Sequence, residues 1–265
     1  MPRLAGDNSH YTFVLRNDNN GRYVSDVTIA LPSVTTIIGK TLAKPALVGW
    51  TYRETRDYIS GAVSTLVDLG TDPADIVDCL ADSDWLEEYL KSNRLRPQDT
   101  TKDAMERGHI GHALLEHLGS AYLEEDEETA QKVAQEALNS ETSSGWDKGI
   151  AAWWLDRNPR VVASEKVLVS LKHGFCGSVD LIWRNDKEQL IVTDLKTRGV
   201  GKGVYESDHI QCGAYKLAWE EQTSEWVDRT TVLVAREDGS WSEEESPYDP
   251  DVFVHLVEIY NEVAR

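Results

Sequence analysis

The stretch 174–197, GFCGSVDLIWRNDKEQLIVTDLKT, decides how the rest of the chain is read. It holds two apolar, β-branched runs around a polar break. Residues 175–183 form the first run, Arg184-Asn185-Asp186-Lys187 the turn, and residues 189–195 the second run. Turn-forming residues between two such runs specify a β-hairpin. Three charges interrupt the apolar pattern: Asp180 between Val179 and Leu181, then Asp194 and Lys196 at the end of the second run. Strand side chains alternate faces, so Asp194 and Lys196 point one way and Leu195 the other. A charge in strands this apolar is strongly disfavoured unless it is paired or bound to a metal.

Two kinds of partner fit. One is an ion pair of Lys196 with Asp180 or Asp194. The other is a divalent cation. Two carboxylates converging across a hairpin suit Mg²⁺, which takes oxygen ligands, and the Leu195 carbonyl adds a further oxygen. On that reading Lys196 positions or deprotonates a water, or stabilises charge on a phosphate. Such parts fit metal-assisted phosphodiester hydrolysis.

The flanking segments add further chemistry-bearing residues. Residues 160–171 read as a strand. Val162, Ser164, Lys166, Leu168 and Ser170 line one face, and Val161, Ala163, Glu165, Val167 and Val169 the other, which leaves Glu165 as an acid on an apolar face. Residues 99–118 read as a helix with a small or apolar stripe of Ala104, Gly108, Gly111, Leu115 and Leu118. Glycine inside a helix costs up to about 1 kcal/mol against alanine, so two of them ask for a close approach, here to the sheet. His112 and Glu116 share a face of this helix; His109 lies three residues before His112. After the hairpin, Arg198-Gly199-Val200-Gly201-Lys202-Gly203 is a flexible cationic loop, suited to a phosphate or to a mobile edge. Residues 205–221 form a helix with Ile210, Ala214, Leu217 and Ala218 toward the core and Gln211 and Tyr215 together at i, i+4. Residues 228–235 read as the last strand and 251–264 as the last helix.

The order Gly108-x-x-x-His112, Glu165, Gly177-x-x-Asp180, Asp194-x-Lys196-Thr197, Gln211-x-x-x-Tyr215 resembles the PD-(D/E)XK nuclease superfamily. It resembles most closely the RecB-type branch, which includes phage exonucleases. The resemblance runs from about residue 31 to 219, and Val179 stands where the superfamily's name has proline. It implies an α/β fold with a restriction-endonuclease-like core, a small mixed sheet flanked by helices, and an N-terminal helical subdomain. It implies Mg²⁺, with Mn²⁺ also working, held by His112, Asp180, Asp194 and the Leu195 carbonyl. Lys196 would orient or activate the attacking water and Glu165 would support it. Gln211 and Tyr215 would lie beside the catalytic sheet against DNA. Some RecB-type nucleases carry a four-cysteine iron–sulfur cluster. Cys79, Cys176 and Cys212 cannot build one, so no cluster is expected.

Ahead of this core, residues 11–25 read as a hairpin in which Tyr23 and Val24 resume the extended pattern. In 31–39, Ser33 or Thr35 caps a short helix ended by Gly39. The PSVT segment, with Lys44-Pro45 and Trp50 after it, resembles the N-terminal part of phage RecB-like exonucleases. Residues 45–69 form a helix with Leu47, Trp50, Tyr58 and Val63 as its buried stripe and Arg53 and Arg56 on one face. Ser33, Thr35, Arg53 and Arg56 either bind a terminal DNA phosphate or are a plain cap and solvated bases. Asp72 and Asp84 cap helices over 72–80 and 84–91. Helices over 127–139 and 144–157 follow, and Trp146, Trp153 and Trp154 in the second read as core rather than as base-stacking residues. The division expected is 1–98, hairpin and helical subdomain, and 99–265, nuclease core.

Charge tests this reading. The 265 residues carry a formal net charge of −19, whereas DNA-binding proteins present a positive footprint. Acids gather over 68–88, 124–141 and 220–251, and bases over 40–56, 91–107 and 196–202. A basic cleft on an acidic body is compatible with that pattern; solvated acidic helix faces account for the rest. No apolar run approaches the roughly 18 residues of a membrane helix. The N-terminal residues hold no hydrophobic signal core and the cysteines are odd in number, so a cytoplasmic protein with reduced thiols is expected, in the bacterial host if phage-encoded. The function expected is a metal-dependent DNA exonuclease of phage recombination or replication. The alternatives are a structure-specific endonuclease of the same fold, and a non-catalytic acidic DNA mimic or scaffold. The charge favours the mimic, and the complete Asp–Asp–Lys set disfavours it. DNA is the expected partner, with a recombination or single-strand-binding protein beside it and no membrane.

Overall fold

The computed structural model describes residues 10–14, 28–42, 45–93 and 97–263, with side chains over 31–42, 51–93 and 111–263. The chain begins with β1 (His10–Val14) and β2 (Thr28–Pro32), paired antiparallel with Tyr11 opposite Leu31. The expected second strand at Tyr23 and Val24 lies outside the described residues. α1 (Val34–Thr41) follows, then α2 (Pro45–Asp68), α3 (Pro73–Ala81), α4 (Ser83–Ser92), α5 (Pro97–Glu124), α6 (Glu127–Asn139) and α7 (Gly145–Arg157). The C-terminal half runs β3 (Arg160–Ser170), β4 (Phe175–Arg184), β5 (Leu190–Arg198), α8 (Glu206–Thr223), β6 (Arg229–Arg236), β7 (Trp241–Glu245) and α9 (Asp251–Val263). No helix among the described residues is long and apolar enough to cross a membrane.

Contacts divide the chain into two units, Ala43–His109 and the remainder. In the smaller unit Asp72 caps α3 as expected, accepting from the Ala74 N–H at 2.8 Å. α4 is capped one turn-residue pair earlier than expected: Asp82, not Asp84, accepts from the N–H groups of Asp84 and Trp85. Asp84 is thereby left in the first turn, where its charge still favours the helix N-terminus. Ala62 is buried on α2, while Tyr58 and Val63 are half-buried; the side chains of Leu47 and Trp50 lie outside the described residues.

In the larger unit the sheet order is β3-β4-β5-β6-β7. The β4–β5 hairpin closes through Asn185, whose Oδ1 accepts from the N–H groups of Lys187 and Gln189 at 3.0 Å each. β5 and β6 are parallel, joined by the α8 crossover; every other neighbouring pair is antiparallel. The result is a mixed α/β sheet flanked by helices, the restriction-endonuclease-like arrangement. α1, α8 and α9 cover one face, with Val34, Ile37, Phe175, Ile182, Tyr215 and Phe253 in that core. α5, α6 and α7 cover the other, with Leu115, Leu118, Trp153, Trp154 and Leu195. Trp153 and Trp154 are thus core residues, and Trp153 packs edge-on to Trp183 at 5.7 Å.

Two expectations fail here. The strand over 228–235 is not the last, because β7 adds an acidic outer strand beside it. Nor does β3 keep one alternation. Val161 and Ala163 are buried at its start, but Leu168 and Ser170 are buried at its end. A register shift between Val161 and Ala163 and a left-handed Glu165, with φ of 44°, change the phase.

Candidate active site

β4 and β5 are laddered from the turn as far as the pair Leu181 and Thr193. Past that pair the Leu195 N–H donates to Asp180 Oδ2 at 2.6 Å, a carboxylate in place of a strand carbonyl. The strands part here, and the candidate residues gather in the opening.

α5 delivers His112. A Cβ on the preceding Gly111 would lie 2.6 Å from Thr197 Cγ2 and 3.3 Å from Ile150 Cδ1, so the glycine lets the helix lie against β5 and α7. His112 Nδ1 is then 3.4 Å from Asp180 Oδ1 and 3.9 Å from Glu165 Oε1. The strand register places Glu165 across from Asp180, between the pairs Ser164 with Leu181 and Lys166 with Val179. One ligand atom from each of His112, Glu165 and Asp180 lies within 4.8 Å of the others. Glu165 reaches this position in a backbone conformation that is rare outside glycine, and such strain is held where surrounding structure enforces it.

β5 delivers Asp194 and Lys196 to the α8 side, as their spacing predicts, and Leu195 to the opposite core. Lys196 Nζ forms an ion pair with the buried Asp194 Oδ2 at 2.6 Å. Gln211 holds both partners: its Nε2 donates to Asp194 Oδ1 at 3.0 Å, and its Oε1 accepts from Lys196 Nζ at 3.3 Å. The same Nε2 reaches the Tyr215 phenol oxygen at 2.8 Å. Tyr215 is buried. It fits against β4 because residue 177 is glycine; a Cβ there would lie 2.8 Å from Tyr215 Cε1 and 3.1 Å from Val34 Cγ2. Gln211 and Tyr215 therefore brace the carboxylate and the lysine from the α8 side. Sequence spacing paired these two residues but could not reveal that Gln211 grips residues of β5.

The ionisation pattern follows from burial and crowding. Burial pushes Asp194 up to about 7, helped by Asp180 and opposed by Lys196. Burial would also raise Asp180, but the His112 charge and hydrogen bond, Lys196 and the Leu195 N–H outweigh it and hold this carboxyl below its ordinary value. Burial lowers His112, yet Asp180 and Glu165 overcome that and carry it up to about 10. Lys196 is raised, its burial outweighed by Asp194 and Asp180. The directions for Asp194 and Lys196 differ because burial dominates at Asp194, whereas at Lys196 the charges of Asp194, Asp180 and Asp208 outweigh it. Three carboxyl groups thus depend on one lysine and one protonated imidazole. His112, Glu165 and Asp180 converging beside Asp194 form a donor arrangement into which a divalent cation fits.

Four further candidates come from α1 and α2. Ser33 is buried, and its hydroxyl accepts from the Thr36 N–H at 3.1 Å and donates to Thr36 Oγ1 at 2.8 Å, which makes it the α1 cap. Thr35 is exposed in the first turn. Arg53 and Arg56 are exposed on α2 in the smaller unit, where Arg56 pairs with Asp57 at 2.6 Å. The side chain of His109 lies outside the described residues.

A mixed sheet flanked by helices, with His112, Glu165 and Asp180 converging where two of its strands part, is compatible with metal-assisted phosphodiester hydrolysis. The model of the PD-(D/E)XK nuclease superfamily matches residues 85–241, and the chain belongs to that superfamily. It is therefore a nuclease, a hydrolase of a family that uses divalent metals and acts on DNA. No curated protein matches the chain. A solved structure titled "Crystal structure of SSO0001" overlaps 57% of this chain and 74% of its own at 17% identity, with a TM-score of 0.31. An overlap that loose leaves the assignment resting on the family match and the sheet.

Proposed function

We propose that the protein is a Mg²⁺-dependent deoxyribonuclease, an exonuclease of the RecB-like phage type serving recombination or replication. The observation that carries the reading is the convergence of His112, Glu165 and Asp180 next to Asp194, whose charge and orientation are set by Lys196 and Gln211. His112, Asp180, Asp194 and the Leu195 carbonyl would hold the cation, with Mn²⁺ a working substitute given the imidazole. The bound cation supplies charge neutralisation at the phosphate and makes water more acidic. Lys196, kept cationic by its carboxylates, orients the attacking water and stabilises charge on the phosphate. Glu165 takes up the water's proton or holds its position from the β3 side. Gln211 keeps Lys196 and Asp194 in register. Ser33 and Thr35 at the start of α1 are proposed contacts for a terminal phosphate, Ser33 acting through the cap it makes, and Arg53 and Arg56 on α2 are separately proposed phosphate contacts.

The test is a time course on duplexes labelled at a single 5′ or 3′ end. An exonuclease releases label from one end type as mononucleotides or short products from the first time points. Internal cuts that leave the labelled ends intact support the endonuclease alternative and end the exonuclease reading.

A further inference from the structure

The loop between β5 and α8, residues 199–203, reads Gly-Val-Gly-Lys-Gly and is exposed throughout. Glycine is the residue least suited to holding a loop in one shape, so three in five ask for a cause. Gly201 has one, a φ of +74°. Gly199 and Gly203 have none inside the described chain. Neither takes the left-handed backbone, and a Cβ on either would meet nothing within 4 Å. The fold would accept a side chain at both. What remains is close approach of the backbone by an outside molecule.

The surroundings indicate its chemistry. Arg198 shares a strand face with Asp194 and Lys196, about 7 Å beyond the lysine at two residues' rise. Its Nη2 donates to Asp208 Oδ2 at 2.8 Å, and that oxygen also accepts from the Tyr205 N–H at 3.0 Å. The guanidinium stacks 4.8 Å over the exposed Tyr205 ring, and its Nε is buried without a hydrogen-bond partner among the described residues. Trp146 Nε1 donates to the Arg198 carbonyl at 2.9 Å and Arg236 Nε to the Lys202 carbonyl at 3.0 Å, so the loop is tied at both ends. The Lys202 side chain is exposed and has no ion pair among the described residues. Asp208 lies one helical turn before Gln211, which holds Asp194 and Lys196. The Lys202 N–H donates to the Gly199 carbonyl at 3.2 Å and closes the turn. A tethered, exposed glycine loop whose Lys202 ammonium has no ion pair among the described residues, beside a braced guanidinium, matches a phosphodiester backbone.

We infer that residues 198–203 form a backbone cradle beside the catalytic centre. In it the main chain at Gly199 and Gly203 and the Lys202 ammonium contact phosphates of the substrate strand adjacent to the scissile bond. The inference rests on the nuclease reading. Its test compares wild type with the double variant Gly199→Ala/Gly203→Ala and with Lys202→Ala. The readouts are thermal melting, anisotropy of a fluorescein-labelled duplex without divalent metal, and steady-state cleavage with Mg²⁺. The double variant is expected to melt at or above the wild-type temperature. Its DNA affinity is expected to fall about tenfold, with KM raised and kcat held. Lys202→Ala is expected to reduce the slope of log affinity against log salt by about one. A double variant that binds and cleaves like wild type overturns the cradle and leaves the nuclease reading standing. A lowered melting temperature overturns it too, by giving the glycines a folding role. Wild type that neither binds nor cleaves DNA overturns the nuclease reading and the cradle together.

Discussion

At Lys196 the ammonium stands 2.6 Å from Asp194 and is braced by Gln211. A charged lysine cannot ligate a metal. Lys196→Ala should therefore cut hydrolysis by about a hundred- to ten-thousandfold while leaving metal and DNA binding intact; near wild-type cleavage would remove the residue from the mechanism. Asp180→Asn and Asp194→Asn change charge with little change of shape, and each should lose Mg²⁺ binding in calorimetry. Unchanged affinity in both would move the cation elsewhere. His112 gives a pH dependence with a defined sign. Its metal-free pKa is raised to about 10, so below that value a proton must leave before the imidazole can bind a cation. Metal affinity should climb between about pH 7 and 9, by up to tenfold per unit from this group alone. The slope should flatten in His112→Ala; an unchanged slope would exclude imidazole ligation. Asp180, Asp194 and Lys196 were legible as candidates because charges in apolar strands stand out. Glu165 was legible as an acid on an apolar face, but its left-handed backbone was not, since no local pattern marks a non-glycine residue with φ of 44°.

Elements carry the site through close approaches. α8 sits on β4 because Gly177 leaves room for Tyr215 and Val34. Gly177→Ala should destabilise the fold by about 1–3 kcal/mol through overpacking and loosen the Gln211 grip on Asp194. Denaturant unfolding measures the first, and a lowered kcat in the surviving folded protein the second; a variant as stable and active as wild type would show that α8 shifts freely. The hairpin was legible because alternation and the Asn185 turn agree, α6 because its Asp126 cap and its periodicity agree, α7 from its Ser144 capping box, and α9 from its periodicity. β7 was missed because Trp241-Ser-Glu-Glu-Glu245 has no apolar alternation. Its pairing comes from β6 on one side, and its exposed acids suit an outer edge that resists further pairing. The Gln211 contacts were missed for another reason. They join residues 15 and 17 apart in sequence, across two elements, where helical spacing is silent.

Over the whole molecule a net charge of −19 opposes DNA, so binding has to be local. Few phosphates can be neutralised by a site of this kind, and log affinity should fall only shallowly with log salt. A steep slope, as for a protein tracking many phosphates, would contradict an acidic body with a confined contact. The same charge is what an acidic DNA mimic would carry, and catalysis separates the two. The most direct measurement is cleavage of a labelled DNA duplex with Mg²⁺ and with a chelator, by wild type and Asp180→Asn side by side. The His112–Asp180–Asp194–Lys196 centre predicts cleavage by wild type with Mg²⁺ alone, and none by Asp180→Asn in either condition. Wild type inert with Mg²⁺ and with Mn²⁺, or cleavage that persists in Asp180→Asn, would contradict it.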